Sequence, residues 1–242
     1  MEMYKRIILK LSGETLAPVA YDKTKNSSAS FDAGRIDAAA SVVARLADRG
    51  VQLGIVLGGG NIWRGRFTEA MDPVLADQMG MLATVINAIA FQDALLRAGK
   101  QAVVYTPQEM SRFTDHYRAD RAVKDMEAGR IVLLAGGSGN PFFTTDTAAA
   151  LRAAETKADA VFKGTTVDGL YDADPGKVPT AKLIPDISYQ EAIDRNLRVM
   201  DLSAYQLCME RRIPAIRIFS MEDLENILRV ADGEPIGTVV HP

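Results

Sequence analysis

The sequence predicts an α/β protein built on a mainly parallel sheet covered on both faces. Short runs of four to eight apolar residues alternate with longer segments whose apolar residues recur at helical spacing. Strands that read as near-continuous apolar runs are those buried on both faces by crossover helices. Glycines gather at the ends of several of these runs, where ligands bind in open α/β sheets.

The elements follow in order. Tyr4 to Leu11 is rich in Ile and Leu and stops at Ser12-Gly13, a strand entering a tight turn. Ile36 to Arg49 carries Ile36, Ala39, Ala40, Val43, Leu46 and Ala47 at helical spacing, with Gly50 at the C-terminal position. Val51 to Leu57 is a second strand, ended by Gly58-Gly59-Gly60. A long helix is expected from Pro73 to Ala98, closed by Gly99, and its apolar residues cover more than one face. Ala102 to Tyr105 reads as a strand, Arg118 to Ala128 as a helix and Ile131 to Leu134 as a strand leading into the glycine loop Gly136 to Asn140. Thr144-Thr145-Asp146 starts a helix that runs to Thr156, and Ala160 to Lys163 is the next strand. Helices near Tyr189 to Arg195, Asp201 to Arg211 and Glu222 to Ala231 follow, with strands at Ala215 to Phe219 and Thr238 to Val240. Pro18 to Gly34 is polar and reads as a surface loop, and Asp172 to Pro185 is irregular, with three prolines.

Composition narrows the function classes. The 242 residues are 48% apolar and 24% charged, with a net charge of −3, which excludes a disordered chain and gives no strong nucleic-acid signal. One cysteine, Cys208, and two histidines, His116 and His241, leave nothing for a disulfide framework or a Cys/His metal cluster. No apolar run approaches the roughly 20 residues that cross a bilayer, so no membrane is expected and the protein reads as cytoplasmic. Walker, dinucleotide-binding and nucleophile-elbow motifs are missing.

The residues with chemical potential sit beside the glycines. Gly13, Gly58-Gly59-Gly60 and Gly136-Gly137-Ser138-Gly139 each follow a strand. Any one of them is an ordinary turn. Together, at equivalent strand ends, they point to phosphate binding by main-chain amides. Lys10 and Lys163 end apolar strands, where a charge needs a reason, and Arg64 lies just past the triple glycine. Phosphoryl transfer supplies that reason, because the protein's task there is to position reactants and neutralise charge. Asp77, Asp146, Asp168, Asp174 and Asp201 are the nearby carboxylates; one could orient the lysines and another bind Mg²⁺ through water, while Asp146 serves equally well as a simple helix N-terminal charge.

Lys10-Leu11-Ser12-Gly13-Glu14, Gly58 to Gly65 (GGGNIWRG), Asp77 to Thr84 (DQMGMLAT), Gly139 to Asp146 (GNPFFTTD), Val167 to Pro175 (VDGLYDADP) and Met200-Asp201 occur in this order. They closely resemble the bacterial UMP kinases, a branch of the amino acid kinase family, over nearly the whole chain. The resemblance implies a three-layer αβα sandwich, one domain spanning residues 1–242, its N-terminal part mainly UMP-binding and its C-terminal part mainly ATP-binding. It implies Mg²⁺-dependent transfer of the ATP γ-phosphoryl group to UMP, giving UDP in pyrimidine biosynthesis, by a homohexamer. Lys10, Leu11, Ser12 and Gly13 would hold ATP phosphates, with Gly60 and Arg64 close by, and Thr165, Tyr171 and Asp174 would form the ATP base and ribose pocket. Gly59 would contact the UMP phosphate and Asp77 the ribose. The segment Ser138, Gly139, Asn140, Pro141, Phe142, Phe143, Thr144 and Thr145 would surround the uridine. Lys163, Asp146 and Asp201, with Lys10 and Arg64, match the transfer site.

The chain departs from the family around Ala17 to Asp37, where a short glycine-rich segment is usual and a longer, glycine-poor one stands; Gln92 also replaces a basic position, although Arg130 remains. Both departures argue against activation by GTP, while inhibition by UTP stays open. Two other readings remain at this point. An amino acid kinase acting on a carboxylate or carbamate is opposed by the Asp77 motif and by Gly139-Asn140-Pro141. A nucleotide sensor without activity is opposed by intact Lys10, Lys163 and Asp201.

Overall fold

The computed structural model describes residues 4–18, 30–63 and 71–242. Eleven strands and seven helices are assigned among them. The strands are β1 (Arg6–Leu11), β2 (Gln52–Leu57), β3 (Ala102–Thr106), β4 (Asp115–His116), β5 (Ile131–Leu134), β6 (Ala160–Thr165), β7 (Leu170–Tyr171), β8 (Leu183–Ile184), β9 (Asp186–Ser188), β10 (Ala215–Ser220) and β11 (Thr238–His241). The helices are α1 (Ala33–Asp48), α2 (Pro73–Arg97), α3 (Ala119–Glu127), α4 (Thr145–Thr156), α5 (Tyr189–Asp194), α6 (Leu202–Glu210) and α7 (Asn226–Ala231). A single 3₁₀ turn, Gly13–Leu16, follows β1.

Nine strands form one sheet in the order β4-β3-β5-β2-β1-β6-β10-β11-β9, parallel except for the β10–β11 pair. Two core clusters lie on its two faces. One joins Ile7, Leu9 and Leu11 to α1, α2 and α7; the other joins Ile8 and Val161 to α3, α4, α5 and α6. The alternation of β1 between the two clusters is the period-2 geometry of a strand covered on both sides. This is the αβα sandwich expected from the sequence. β7 and β8 form a separate small antiparallel ribbon, β8 inside the stretch read as irregular and β7 immediately before it.

Helix ends match their local chemistry. Asp72 caps α2 by accepting the N–H groups of Val74 (2.9 Å) and Leu75 (3.1 Å), and Pro73 occupies the first turn, where its missing N–H costs nothing. Asp32 caps α1 through Arg35 N–H, so α1 starts at Ala33 and Gly34 belongs to its first turn rather than to the preceding loop. Residues 19–29, most of that expected loop, lie outside the described residues.

One expectation needs correcting. α2 is long and apolar enough, by length and composition, to cross a membrane. A search for unbroken apolar runs misses it because Asp77, Gln78, Asn87, Gln92 and Asp93 interrupt the sequence. One face, carrying Ala83, Thr84, Asn87, Ala88, Phe91 and Leu95, is buried on the sheet and α1. The opposite face exposes Leu75, Met79, Leu82, Ile86 and Ile89, between 39% and 54% each.

Candidate active site

β5, β2 and β1 are neighbours in the sheet, so the three glycine segments that follow them emerge side by side at one edge. Lys10 and Lys163 are direct register partners on the adjacent parallel strands β1 and β6. Their side chains therefore leave the same face of the sheet together, an arrangement that repulsion disfavours unless a negative charge lies between them. Asp146, in the first turn of α4, is that charge. One carboxylate oxygen lies 2.9 Å from Lys10 Nζ, and the other accepts from Lys163 Nζ. All three side chains are nearly buried. Val199 C=O accepts a further bond from Lys163 Nζ at 2.5 Å.

Burial would raise the pKa of Asp146, but Lys10 and Lys163 outweigh it and hold the carboxyl below the usual range. Lys163 is drawn down, first by burial and then by Lys10, with Asp146 opposing both. Two ammonium groups thus share one carboxylate, leaving that trio net positive beside a cavity of about 500 Å³ whose walls also carry the carboxylates of Glu14, Asp77 and Asp201. Ser12, Gly13, Gly59, Gly60, Asp77, Thr144, Thr145 and Asp201 line that cavity together with Lys10 and Asp146. Phosphates brought there would meet a cationic floor and the main chain of the glycine turns.

Gly13 and Gly59 are required by close packing. A Cβ on Gly13 would lie 2.3 Å from Asn61 Oδ1 and 2.7 Å from Gly58 O, and one on Gly59 would lie 2.8 Å from Gly80 O of α2. A buried amide pair ties the triple-glycine turn to α2: Asn87 Nδ2 donates to Gly58 C=O (2.6 Å) and to Asn61 Oδ1 (2.7 Å). The sequence offers Thr84 only as the end of the Asp77 motif and leaves Asn87 unmarked; a polar residue among Ala83, Ala88 and Phe91 on a buried helix face is the available signal.

The loop between β5 and α4 is held from several sides. Gly136 N–H donates to Thr84 Oγ1 at 2.8 Å, and Phe142 N–H donates to Asp77 Oδ2 at 2.7 Å. Phe142 sits at φ 69°, a left-handed conformation that costs a non-glycine residue about 1–2 kcal/mol, and its ring is exposed, as is that of Phe143. The Asp77 bond offsets part of that strain. At the far end of the loop the Thr144 hydroxyl caps α4, accepting Asp146 N–H (3.1 Å), and donates to Asp201. Asp201, at the start of α6, makes no capping bond to its own helix. Its carboxylate faces Thr144 and Thr147 across the cavity wall instead.

A second cavity, of about 520 Å³, lies beyond β6. Tyr171 and Asp174 line it with Leu170, Arg195, Asn196 and Val199. Val199 belongs to both neighbourhoods, since its carbonyl binds Lys163. Of the other expected site residues, Leu11 has its side chain in the core, so only its main chain faces the edge. Thr165 closes β6, its carbonyl accepting Met221 N–H. Ser138, Gly139, Asn140 and Pro141 form the outer part of the loop, with Ser138 Oγ accepting Asn140 N–H. Arg64 lies outside the described residues.

Comparison with known proteins agrees with this geometry. The model of the amino acid kinase family matches residues 5–220. Curated uridylate kinases of Bacteroides thetaiotaomicron and Parabacteroides distasonis are each 46% identical over the full length of both chains. Among solved structures, UMP kinase from Bacillus anthracis superposes with a TM-score of 0.91 at 33% identity, covering 99% of this chain and 97% of its own, and that from Ureaplasma parvum with 0.89 at 33%, covering all of both. A uridylate kinase from Archaeoglobus fulgidus shares the fold at a TM-score of 0.71 and 24% identity, over 97% of this chain and 99% of its own. A sheet edge of this design, inside a sequence match that runs almost end to end, makes the chain a member of the amino acid kinase family.

Proposed function

We propose that this chain phosphorylates UMP with ATP, the former held by the loop of residues 138–145 and Asp77, the latter by the second cavity with its phosphates over Lys10. The chain is a nucleoside monophosphate kinase, as its full-length uridylate kinase relatives imply. The observation that carries the reading is the in-register pair Lys10–Lys163 bridged by Asp146 beneath the glycine turns. The residues of one domain divide between the two nucleotides, mainly N-terminal for UMP and mainly C-terminal for ATP.

In the reaction an oxygen of the UMP phosphate attacks the ATP γ-phosphorus. The new O–P bond forms as the bond to the β-phosphate oxygen breaks, and ADP leaves. The attacking oxygen is anionic at neutral pH, so no general base is needed. The obstacle is repulsion between two anions, which Lys10 and Lys163 offset from below. Asp146 keeps both ammonium groups aimed upward, and Thr144 links the UMP loop to Asp201. ATP enters as its Mg²⁺ complex. No cluster of three or more His, Cys, Asp or Glu side chains occurs among the described residues, and both Asp146 oxygens face lysines. That donor set suits an ion carried by the phosphates and water, with Asp201 the carboxylate open to it.

The apolar face of α2 supports self-association. Leu75, Met79, Leu82, Ile86 and Ile89 follow steps of four and three, the seam of paired helices, and we assign that face to a second copy within the hexamer. Gln92 donates to Ala102 C=O and Arg130 pairs with Asp125, so neither side chain stands free for a GTP phosphate, in keeping with the doubt over GTP activation; inhibition by UTP stays open. We place the enzyme in the cytoplasm, in pyrimidine nucleotide synthesis. A coupled assay with UMP, CMP, dTMP and AMP tests the reading: ATP-dependent turnover is expected chiefly with UMP, and no turnover with UMP, or a preference for AMP, refutes it.

A further inference from the structure

Arg152, on the α4 turn behind the acceptor loop, is among the most deeply buried cations described, at 4% exposure, and it takes no part in the chemistry above. A buried guanidinium is costly unless each side is occupied. Here one nitrogen donates to Glu155 at 2.6 Å, and Glu155 also accepts the Tyr117 hydroxyl at 2.7 Å. The Tyr117 ring lies against the guanidinium, 4.0 Å from its carbon to the ring centroid. The other terminal nitrogen donates to Gly137 C=O at 3.2 Å.

That carbonyl belongs to the glycine turn that leads into the acceptor loop, the stretch least able to hold its own shape. Gly136, Gly137 and Gly139 have φ of 74°, 62° and 91°, and no side chain of theirs fixes the turn. Its anchors are Thr84 at Gly136, Asp77 at Phe142 and Arg152 at Gly137. Asp77 is shared with the nucleotide, Thr84 is neutral, and Asp201, reached through Thr144, belongs to the transfer site, so among the described residues Arg152 supplies the charged anchor set apart from both substrates.

We propose that Arg152 is a positioning residue that preorganises the acceptor loop, so that it governs affinity for the nucleoside monophosphate and leaves ATP binding alone. The inference rests on residues 138–145 being the acceptor loop. An arginine suits the place because its planar fork reaches Glu155 and Gly137 at once while its face lies on Tyr117; a lysine offers one point of attachment.

The test is steady-state kinetics of the full-length enzyme with UMP and ATP varied separately. Arg152→Met is expected to raise KM for UMP about tenfold or more, from loss of a charge-assisted bond, with KM for ATP and kcat at saturating UMP within about twofold. Arg152→Lys should fall between it and the wild type. If Arg152→Met does not fold, Arg152→Lys carries the comparison, with KM for UMP rising at least about threefold and KM for ATP fixed. Hydrogen exchange of the nucleotide-free enzyme should speed up over residues 136–145 and stay unchanged along α4. An unmoved KM for UMP, or equal rises for both nucleotides, overturns the proposal. Asn140→Ala separates the two readings. If it raises KM for UMP while the Arg152 variants do not, Arg152 alone loses its role; if neither matters, the acceptor-loop reading falls as well.

Discussion

The two cavities are nearly equal in size but are built in different ways. The first opens at the ends of adjacent parallel strands and is floored by Lys10, Asp146 and, behind them, Lys163. The second is walled by short segments from the β7–β8 ribbon and the turn of residues 195–199, and is lined mainly by apolar atoms. On the proposed assignment, charge fixed by a sheet would serve the reacting phosphates, whereas shape from irregular segments would serve a base and a sugar. Changes in the first should therefore alter kcat, and changes in the second should alter ATP affinity.

The sharpest way to break this contrast is Lys163→Met. It should lower kcat by about 10³-fold, the scale of losing a preorganised charge at the transition state. The same residue predicts a pH effect. Burial and Lys10 lower the Lys163 pKa, so its positive charge is lost as pH rises through a value below that of an ordinary lysine. The kcat/KM profile should fall early on its alkaline side, and Lys163→Arg, which stays protonated, should move that limb upward. A profile flat to the ordinary lysine range in the wild type contradicts the assignment. A smaller effect is expected at the second cavity. Asp174→Ala should raise KM for ATP about tenfold with kcat nearly kept, on the scale of one lost hydrogen bond to the sugar. A fall in kcat of the size seen with Lys163→Met would erase the distinction between the cavities. The least catalytic change is Leu82→Glu on the outer face of α2. Light scattering should show smaller assemblies, with kcat within about threefold, because Leu82 lines neither cavity. An unchanged assembly size would show that the contact lies elsewhere.

Legibility followed the same division. β5 was read from Ile131 to Leu134 and appears with those bounds, and Lys10, Lys163 and the glycines were picked out because a charge or a bare turn at the end of an apolar run is conspicuous. The ribbon β7–β8 and the strand β9 were not read, since two- and three-residue strands carry no period. Arg152 and Asn87 were passed over for another reason. A polar residue inside a helical pattern looks like solvated surface until its neighbours are known.

By itself the sequence determined the alternation of elements, the sheet edge where the glycines collect, and which cations stand there, because burial on two faces and tight turns leave local marks in residue type and spacing. Tertiary structure alone decided that Lys10 and Lys163 are neighbours in register, that one carboxylate serves both, and that a buried arginine holds the glycine turn after β5. Those facts depend on strand order and helix docking, which join residues from 15 to more than 150 positions apart. No local pattern encodes which distant segment will supply a partner.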